Sequence, residues 1–449
     1  MSLPAVTVRF YAADEIEYFA YLRSMWFDRD LSFDNEYRHF YERGVAQGAR
    51  ARAGGGQYGD RFKQTFLDTT TPTGLRINFA PVGSAILWTP FYALADAGVR
   101  IARAGGSDVA ADGYSRPYIA AVTYGSAIYG FLALVLSVYA ASLITGDRQA
   151  GVRAAFAVWI GTPLLFYMYL APGFSHACSA FAVAAFVVVW LRVRREWSVA
   201  GVAALGAMAA LMGMVREQDL FIAIGPAVDY LVTLLRTAPT RTIVARGVVG
   251  LTTFFVCFLP QLISYQVLYG HPSPSPYVEQ KMTWTSPNAW RVIASPDNGL
   301  LFWTPLALAA LAGLAWLASR SWVAFICVVM VLSQIYVGGS LDTWAGAGSF
   351  GQRRLIGLTI FFVIGLAASL QLPRTWMRHA VQLFVVLAAW WNLGLTAQFG
   401  SGLMDRQHLD LRRNAHHNFV TIPRELPDLA RRFAFDRRSF YRNSTPSTR

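Results

Sequence analysis

The sequence predicts an all-α polytopic membrane protein, and three observations lead to this fold class. First, 55% of the 449 residues are hydrophobic and only 14% are charged, whereas a soluble domain carries about 25% charged residues. Second, apolar stretches of roughly 20 residues, the length at which a helix spans a bilayer, recur from residue 117 onward. Third, the net charge of +13 comes almost entirely from arginine, which occurs in the loops between these stretches and in a basic tail.

The charge pattern fits loops and a basic tail beside anionic lipid. A nucleic-acid-binding protein would carry the same charge on a polar, foldable domain, and the sequence contains no such domain, so we expect no nucleic-acid partner. The three cysteines, Cys178, Cys257 and Cys327, lie in apolar runs without another Cys or His at ligand spacing. We therefore predict neither a disulfide framework nor a zinc site.

Ten apolar stretches are candidate spans, so the expected fold is a bundle of about ten transmembrane helices with interfacial helices and loops on one face. They lie near 117–145, 151–170, 174–191, 198–215, 219–236, 243–269, 300–318, 321–337, 354–371 and 380–400. An earlier run, 81–102, contains Asp96 and ends in arginines. If this run is interfacial rather than spanning, the basic loops all fall on one side, as the positive-inside rule favours.

This topology divides the chain into three regions. Residues 1–116 form an outer loop with interfacial helices, and residues 117–400 form the helical bundle with outer loops 270–299 and 338–353. Residues 401–449 form an Arg-rich external tail, which we expect to be extended or loosely packed because it lacks apolar periodicity.

Ten of the 26 acidic residues precede position 81, and they begin at Asp14. In a helix that starts near Asp14, helical periodicity places Asp14, Glu17 and Tyr21 on one face and apolar side chains on the other. The spacing predicts an amphipathic helix with an ionised carboxylate in its first turn. An ordinary helix start with a solvated acidic face is the alternative.

The segment "YAADEIEYFAYLRSMWFDRDLSFDNEY", followed by "INFAPVGSAILWTPFYAL", resembles the first outer loop of GT-C superfamily membrane glycosyltransferases. This family includes protein O-mannosyltransferases and aminoarabinose transferases, which take sugars from polyprenyl-phosphate donors. "LLFYMYLAPGFSHACSAF" is similar to the second outer loop of the family, and "SPDNGLLFWTP" and "WAGAGSFGQRR" to uncharacterised bacterial members.

The resemblance implies a GT-C-type bundle and an inverting transfer of a sugar from a polyprenyl-phosphate donor to an external glycan, lipid or protein acceptor. The site would lie at the outer leaflet of a bacterial cytoplasmic membrane. In this family the catalytic carboxylate is an Asp, often followed by Glu, just after the first transmembrane helix. Asp14 and Glu15 occupy that position here.

The sequence departs from the family pattern in three places. Asn78 stands where the family's loop helix opens with His, and we assign Asn78 to substrate binding. Ser175 and His176 stand where many members carry a second acidic residue. The family's first transmembrane helix is missing from this sequence, so we expect an apolar run to be encoded upstream of Met1.

Basic and aromatic residues of the outer loops are candidates for substrate binding. Lys281, Arg353 and Arg354 form a candidate clamp for the carrier phosphate, because arginine suits bidentate phosphate contact. Arg216 lies at an outer hairpin and could line the same cavity. Ordinary basic loop ends and a self-contained Arg216–Asp219 pair are the alternatives.

Trp284 and Trp344 are candidates for stacking on a sugar, although interfacial belts also use Trp. His176, with an acidic loop residue such as Glu15, is a candidate ligand for a divalent Mg or Mn ion; a helix cap is the alternative. A non-catalytic transporter or flippase of lipid-linked saccharides is the rival function. It predicts polar residues in mid-membrane, where Asp229, near Arg236, is the main example.

Overall fold

The computed structural model describes residues 3–44, 61–285, 287–346 and 348–436, and the fold within these ranges is all-helical. It contains no strand there, only two isolated bridges, Thr70 to Arg76 and Met282 to Leu341. The longer helices are Ala13–Arg23, Asp34–Glu42, Gly83–Ala104, Arg116–Thr145, Arg148–Gly161, His176–Val193, Val199–Val215, Ile224–Thr237, Thr240–Tyr269, Leu306–Ala318, Trp322–Ser340, Thr359–Ser369, Thr375–Ser401 and Ile422–Phe435. Shorter helical segments are Leu3–Ala5, Ser24–Asp28, Lys63–Asp68, Leu164–Tyr169, Glu217–Ala223, Pro276–Glu279, Ala289–Ala294, Leu300–Trp303, Arg353–Leu358, Leu411–His416 and His417–Thr421.

Six helices of the described residues are long and apolar enough to cross a membrane. They are Arg116–Thr145, His176–Val193, Glu217–Thr237, Thr240–Tyr269, Trp322–Ser340 and Thr375–Ser401. The prediction of a polytopic helical membrane protein is supported at this level, whereas a count of ten spans is not shown.

The other four apolar stretches are helical but short or interrupted. The stretch 151–170 breaks at Thr162 and Pro163, and the stretch 300–318 breaks at Thr304 and Pro305. Proline lacks a backbone N–H and disfavours the helical conformation of the residue before it. Of the remaining two stretches, 198–215 forms a helix of 17 residues, and 354–371 starts as a 3₁₀ turn.

The core of the bundle surrounds helix Thr359–Ser369, in which all 11 residues are buried. Glycines allow the neighbouring helices to approach closely. A Cβ on Gly365 would lie 2.0 Å from the Ala310 carbonyl oxygen, and a Cβ on Gly206 would lie 2.2 Å from the Gly250 carbonyl oxygen. Small residues at such crossings are typical of helix packing in membranes, where dispersion contacts replace the hydrophobic effect.

Helix Gly83–Ala104, which covers the run 81–102, packs antiparallel along the first half of helix Arg116–Thr145. Trp88 donates to Ser126 at 2.8 Å, and Tyr118 donates to the buried Asp96 at 2.7 Å. The helix is not one of the six candidate spans. Its interfacial position therefore stays a prediction.

Helix Ala13–Arg23 begins where the sequence predicts, but it does not have the separate polar and apolar faces of an amphipathic helix. Glu17 and Tyr21 are buried on one side, and Ile16 and Phe19 are buried on the other. The prediction of an amphipathic helix is wrong, and so is the alternative of a solvated acidic face, because the loop before helix Gly83–Ala104 covers the side that carries Glu17.

The tail is also more ordered than the sequence indicates, because residues 411–435 are helical. Gln398 of the last long helix donates to the Asn414 carbonyl at 3.1 Å, and Asn414 donates back to the Gln398 side chain at 2.7 Å. Asn418 donates to the Trp391 carbonyl at 3.0 Å. The prediction of a loosely packed tail is wrong for these residues, since buried amides fasten them to the bundle.

Candidate functional site

Asp14 lies in the first turn of helix Ala13–Arg23 and pairs with an arginine 339 positions later in the chain. Its Oδ2 accepts a hydrogen bond of 2.7 Å from Arg353 Nη1. The Asp14 side chain is 43% exposed, whereas that of Arg353 is 18% exposed. Burial alone would lower the pKa of Arg353, but the Asp14 carboxylate overcomes this and raises it. The structure thus joins a predicted catalytic residue to a predicted phosphate-binding residue.

Glu15, the second predicted catalytic carboxylate, faces inward. It is fully buried, and its Oε2 accepts hydrogen bonds from the backbone N–H groups of Tyr11 at 2.7 Å and Ala12 at 3.1 Å. Burial raises the pKa of the Glu15 carboxyl to about 8. These contacts place Glu15 as a cap that fixes the chain entering the helix.

Glu17 is a buried carboxyl that the sequence analysis did not select for the site. Its Oε1 accepts from the Phe79 N–H at 2.8 Å, and burial followed by the Asp14 charge raises its pKa to about 8. The sequence did contain a signal for this residue, because helical periodicity places Glu17 on the same face of the helix as Asp14.

Asn78, a predicted substrate-binding residue, has a local structural role. It is buried, its Nδ2 donates to the Glu17 carbonyl at 3.0 Å, and its Oδ1 accepts from the Ala80 N–H at 2.9 Å. Tyr269 donates to the Asn78 carbonyl at 2.6 Å. Asn78 therefore fastens its loop to helix Ala13–Arg23 and to the end of helix Thr240–Tyr269.

Two further arginines lie close to the Asp14–Arg353 pair. Arg354 donates to the Thr343 hydroxyl at 2.9 Å, and its carbonyl accepts from Gln218 at 2.6 Å. Gln218 in turn accepts from Arg216 at 3.1 Å. Burial, followed by the charges of Arg353 and Arg216, lowers the pKa of Arg354 to about 9. Three guanidinium groups thus gather beside the Asp14 carboxylate, which makes this region suited to bind an anion.

His176 is buried beside this cluster and does not have the surroundings of a metal ligand. Its Nδ1 accepts from Arg216 at 2.5 Å, and the rings of Phe174 and Tyr167 pack against it. The adjacent guanidinium would repel Mg²⁺ or Mn²⁺. Across the described parts of the chain, no group of three or more His, Cys, Asp or Glu side chains is placed to hold a metal ion. The residues therefore do not fit a divalent metal.

The remaining predicted binding residues are spread around the cluster. Lys281 Nζ lies 4.1 Å from the Tyr277 ring centre, and its charge offsets a small part of the rise in the pKa of Glu17. Trp284 is half exposed and stacks on Tyr336 with ring centres 6.4 Å apart. Trp344 is buried, and its carbonyl accepts from Gln352 at 3.2 Å. Among the described contacts, none joins either Trp to Asp14.

The loops that carry these residues meet at one end of the bundle, which we call the Asp14 end. Helix His176–Val193 starts there, helix Val199–Val215 and helix Thr240–Tyr269 end there, and the 270–299 loop contacts residues of the N-terminal region through Tyr277 and Phe79.

Comparisons of this chain with protein-family models, with curated proteins and with solved structures found no match.

Proposed function

We propose that the protein is a membrane glycosyltransferase of the GT-C type, with a bundle of about ten transmembrane helices. It takes a sugar from a polyprenyl-phosphate donor and passes it, with inversion, to an external glycan, lipid or protein acceptor. The Asp14 end faces outward from a bacterial cytoplasmic membrane. The observation that carries the proposal is the Asp14–Arg353 pair with Arg354 and Arg216 beside it.

The chemistry requires a base and a cationic surface close together. The acceptor hydroxyl oxygen attacks the anomeric carbon of the sugar, and the bond from that carbon to the phosphate oxygen breaks. The hydroxyl proton passes to Asp14, and the polyprenyl phosphate leaves with the bond's electron pair. Arginine donors stabilise the charge that develops on the leaving phosphate, and a positioned base typically contributes about 10²–10⁴-fold.

The surroundings of Asp14 suit both demands. Arg353 occupies Oδ2, and at 43% exposure the carboxylate is accessible to a hydroxyl. Since burial raises the pKa of Glu15 and of Glu17 to about 8, the carboxylates left to counter the three arginine charges are Asp14 and the buried Asp219, which follows Arg216 by three residues. The excess positive charge supports binding of a phosphate group.

The transporter alternative is less well supported. Asp229, the intramembrane carboxylate that favoured it, accepts from Arg194 at 2.8 Å rather than from Arg236. Trp190 and Trp322 also donate to it, at 3.0 and 2.7 Å. A carboxylate that accepts from three donors on two other helices stabilises the packing of the bundle. A transport pathway instead needs groups that bind and release cargo.

The proposal is tested by comparing envelope glycans of a deletion strain with those of the parent by mass spectrometry. We expect one glycan, glycolipid or glycoprotein to lose a single sugar and the corresponding polyprenyl-phosphate sugar to accumulate. A complete set of glycans together with loss of a lipid-linked saccharide from the outer leaflet would instead show the transporter.

A further inference from the structure

An apolar groove lies between helix Gly83–Ala104 and the first half of helix Arg116–Thr145. Its volume is about 480 Å³, within the 300–1,000 Å³ range of sites for small ligands. All its lining residues are hydrophobic side chains, glycine or proline; among them are Leu3, Leu94, Gly98, Val109, Pro117 and Ile128.

The groove is open, and its outer edge is apolar. A Cβ placed on Gly98 would have no neighbouring atom within 4 Å, so the protein leaves the space at this residue empty. Leu94 and Ile101 on the same helix are each 73% exposed. Together with the groove they form a continuous apolar surface that a lipid chain would contact.

Two arginines are sequence neighbours of residues at one end of the groove. Arg103 follows the lining residue Ala102, and Arg116 precedes the lining residue Pro117; both are exposed. Neither side chain makes a hydrogen bond or ion pair with the described residues, whereas Arg100, on the opposite side of the helix, pairs with Asp96 at 2.8 Å. One exposed acidic residue, Asp108, also lies beside the groove, next in sequence to the lining residue Val109. An apolar groove with two exposed arginines and one exposed aspartate beside it carries a net positive charge, which matches a molecule with an acyl chain and an anionic headgroup.

We propose that this groove binds one anionic phospholipid, with an acyl chain between the two helices and the headgroup phosphate against Arg103 and Arg116. The site is separate from Asp14 and is independent of the transfer reaction proposed above. A zwitterionic lipid offers the same chain but less net attraction, because each basic residue near a membrane surface attracts anionic lipid.

The test uses the full-length protein, delipidated in a mild detergent and titrated with phosphatidylglycerol or phosphatidylcholine in native mass spectrometry. We expect one phosphatidylglycerol to bind more tightly than phosphatidylcholine. Gly98→Trp, which fills the groove, should remove that lipid, whereas Ala97→Trp, on an exposed position outside the groove, should retain it. Arg103→Gln and Arg116→Gln should each weaken its binding roughly fivefold.

Three results would overturn the proposal. Gly98→Trp with unchanged lipid binding and an unchanged melting temperature would show that the groove is not the site. Equal binding of the two phospholipids would reduce the groove to ordinary lipid-facing surface. Displacement of phosphatidylglycerol by an equimolar polyprenyl phosphate, in the wild type but not in Gly98→Trp, would assign the groove to the carrier.

Discussion

At the scale of single residues, Asp14 and Arg353 divide the proposed chemistry between a base and a cation. Asp14→Asn keeps the shape of the side chain but cannot accept the proton, so transfer should fall by about 10²–10⁴-fold. Because the variant also frees Arg353 from its carboxylate, donor binding should be unchanged or tighter. Initial rates and donor KM in proteoliposomes measure both effects.

The controls separate loss of the base from loss of the fold. Asp14 is partly exposed, so its interaction with the helix dipole and its ion pair with Arg353 together contribute only about 1 kcal/mol to the free energy of unfolding. Asp68→Asn, on an exposed residue of the same region, should leave transfer unchanged. Glu17→Gln should cost much less than Asp14→Asn, because Glu17 is already protonated at neutral pH. Normal transfer by a folded Asp14→Asn protein would show that Asp14 is not the base and only begins the helix.

Arg353 is the residue that we expect to contact the carrier phosphate. Arg353→Ala removes a charged donor and should weaken donor binding about tenfold to a hundredfold. The difference from the wild type should be larger at low salt, because the contact between Arg353 and the phosphate is then less screened and stronger. Arg38→Ala, which breaks an exposed pair with Asp34, is the control and should bind donor normally. Unchanged donor affinity in Arg353→Ala, Arg354→Ala and Lys281→Ala would show that none of these residues binds the carrier phosphate.

Glu15 and Glu17 should make the stability of the protein depend on pH. Both hold a proton in the folded state up to about pH 8, whereas the unfolded chain releases it near 4.5. Their stabilisation is therefore complete below about pH 4.5 and is lost as the pH rises through 8, by up to about 1.4 kcal/mol per pH unit for each proton.

Melting temperatures between about pH 5 and pH 8 measure this effect. Glu17→Gln keeps an acceptor for the Phe79 N–H but cannot titrate, so its melting temperature should fall less steeply with pH than that of the wild type. The Asp68→Asn control should keep the wild-type slope. Parallel slopes for the wild type, Glu15→Gln and Glu17→Gln would contradict the proposed protonation.

At the scale of helices, the sequence predicted where the apolar elements lie better than how they pack. The stretch 117–145 became one helix with nearly the predicted bounds, because a continuous apolar run needs only local hydrogen bonds to form it. The break at Pro163 and the burial of Glu17 were missed. The break follows from the proline itself and was visible in the sequence. The burial of Glu17 depends on Phe79 and its loop, which are distant in the chain, and a solvated face and a buried carboxyl have the same periodicity.

Helix packing gives a prediction at this scale. Gly206→Ala would place a methyl group 2.2 Å from the Gly250 carbonyl oxygen, so helices Val199–Val215 and Thr240–Tyr269 must separate. Such overpacking costs about 1–3 kcal/mol, against a gain of about 1 kcal/mol in helix propensity. Gly247→Ala is the matched control, because its nearest neighbour is 3.9 Å away. We expect the melting temperature to fall in Gly206→Ala only; equal melting temperatures would contradict the close approach.

At the scale of the whole molecule, the structure brings together four candidate residues that lie far apart in the chain. Asp14, Arg353, Arg354 and Arg216 were selected separately, and the structure places them together. The grouping was predictable because an even or odd number of spans decides at which end each loop emerges. The contact between Asp14 and Arg353 was not predictable, since topology fixes the end of the bundle and not the neighbours within it.

The orientation of the bundle in the membrane is the last prediction. Arg194 follows a helix that starts at the Asp14 end, and Arg241 lies in the first turn of a second helix that finishes there, so both lie at the opposite end. Anionic lipid and the positive-inside rule favour arginines on the cytoplasmic side. In a background lacking Cys257, the half-buried native cysteine, Trp284→Cys should react with an impermeant maleimide in intact cells. Arg241→Cys should react only after the cells are permeabilised. Labelling of position 241 but not position 284 in intact cells would place Asp14 in the cytoplasm, where an external acceptor does not reach it.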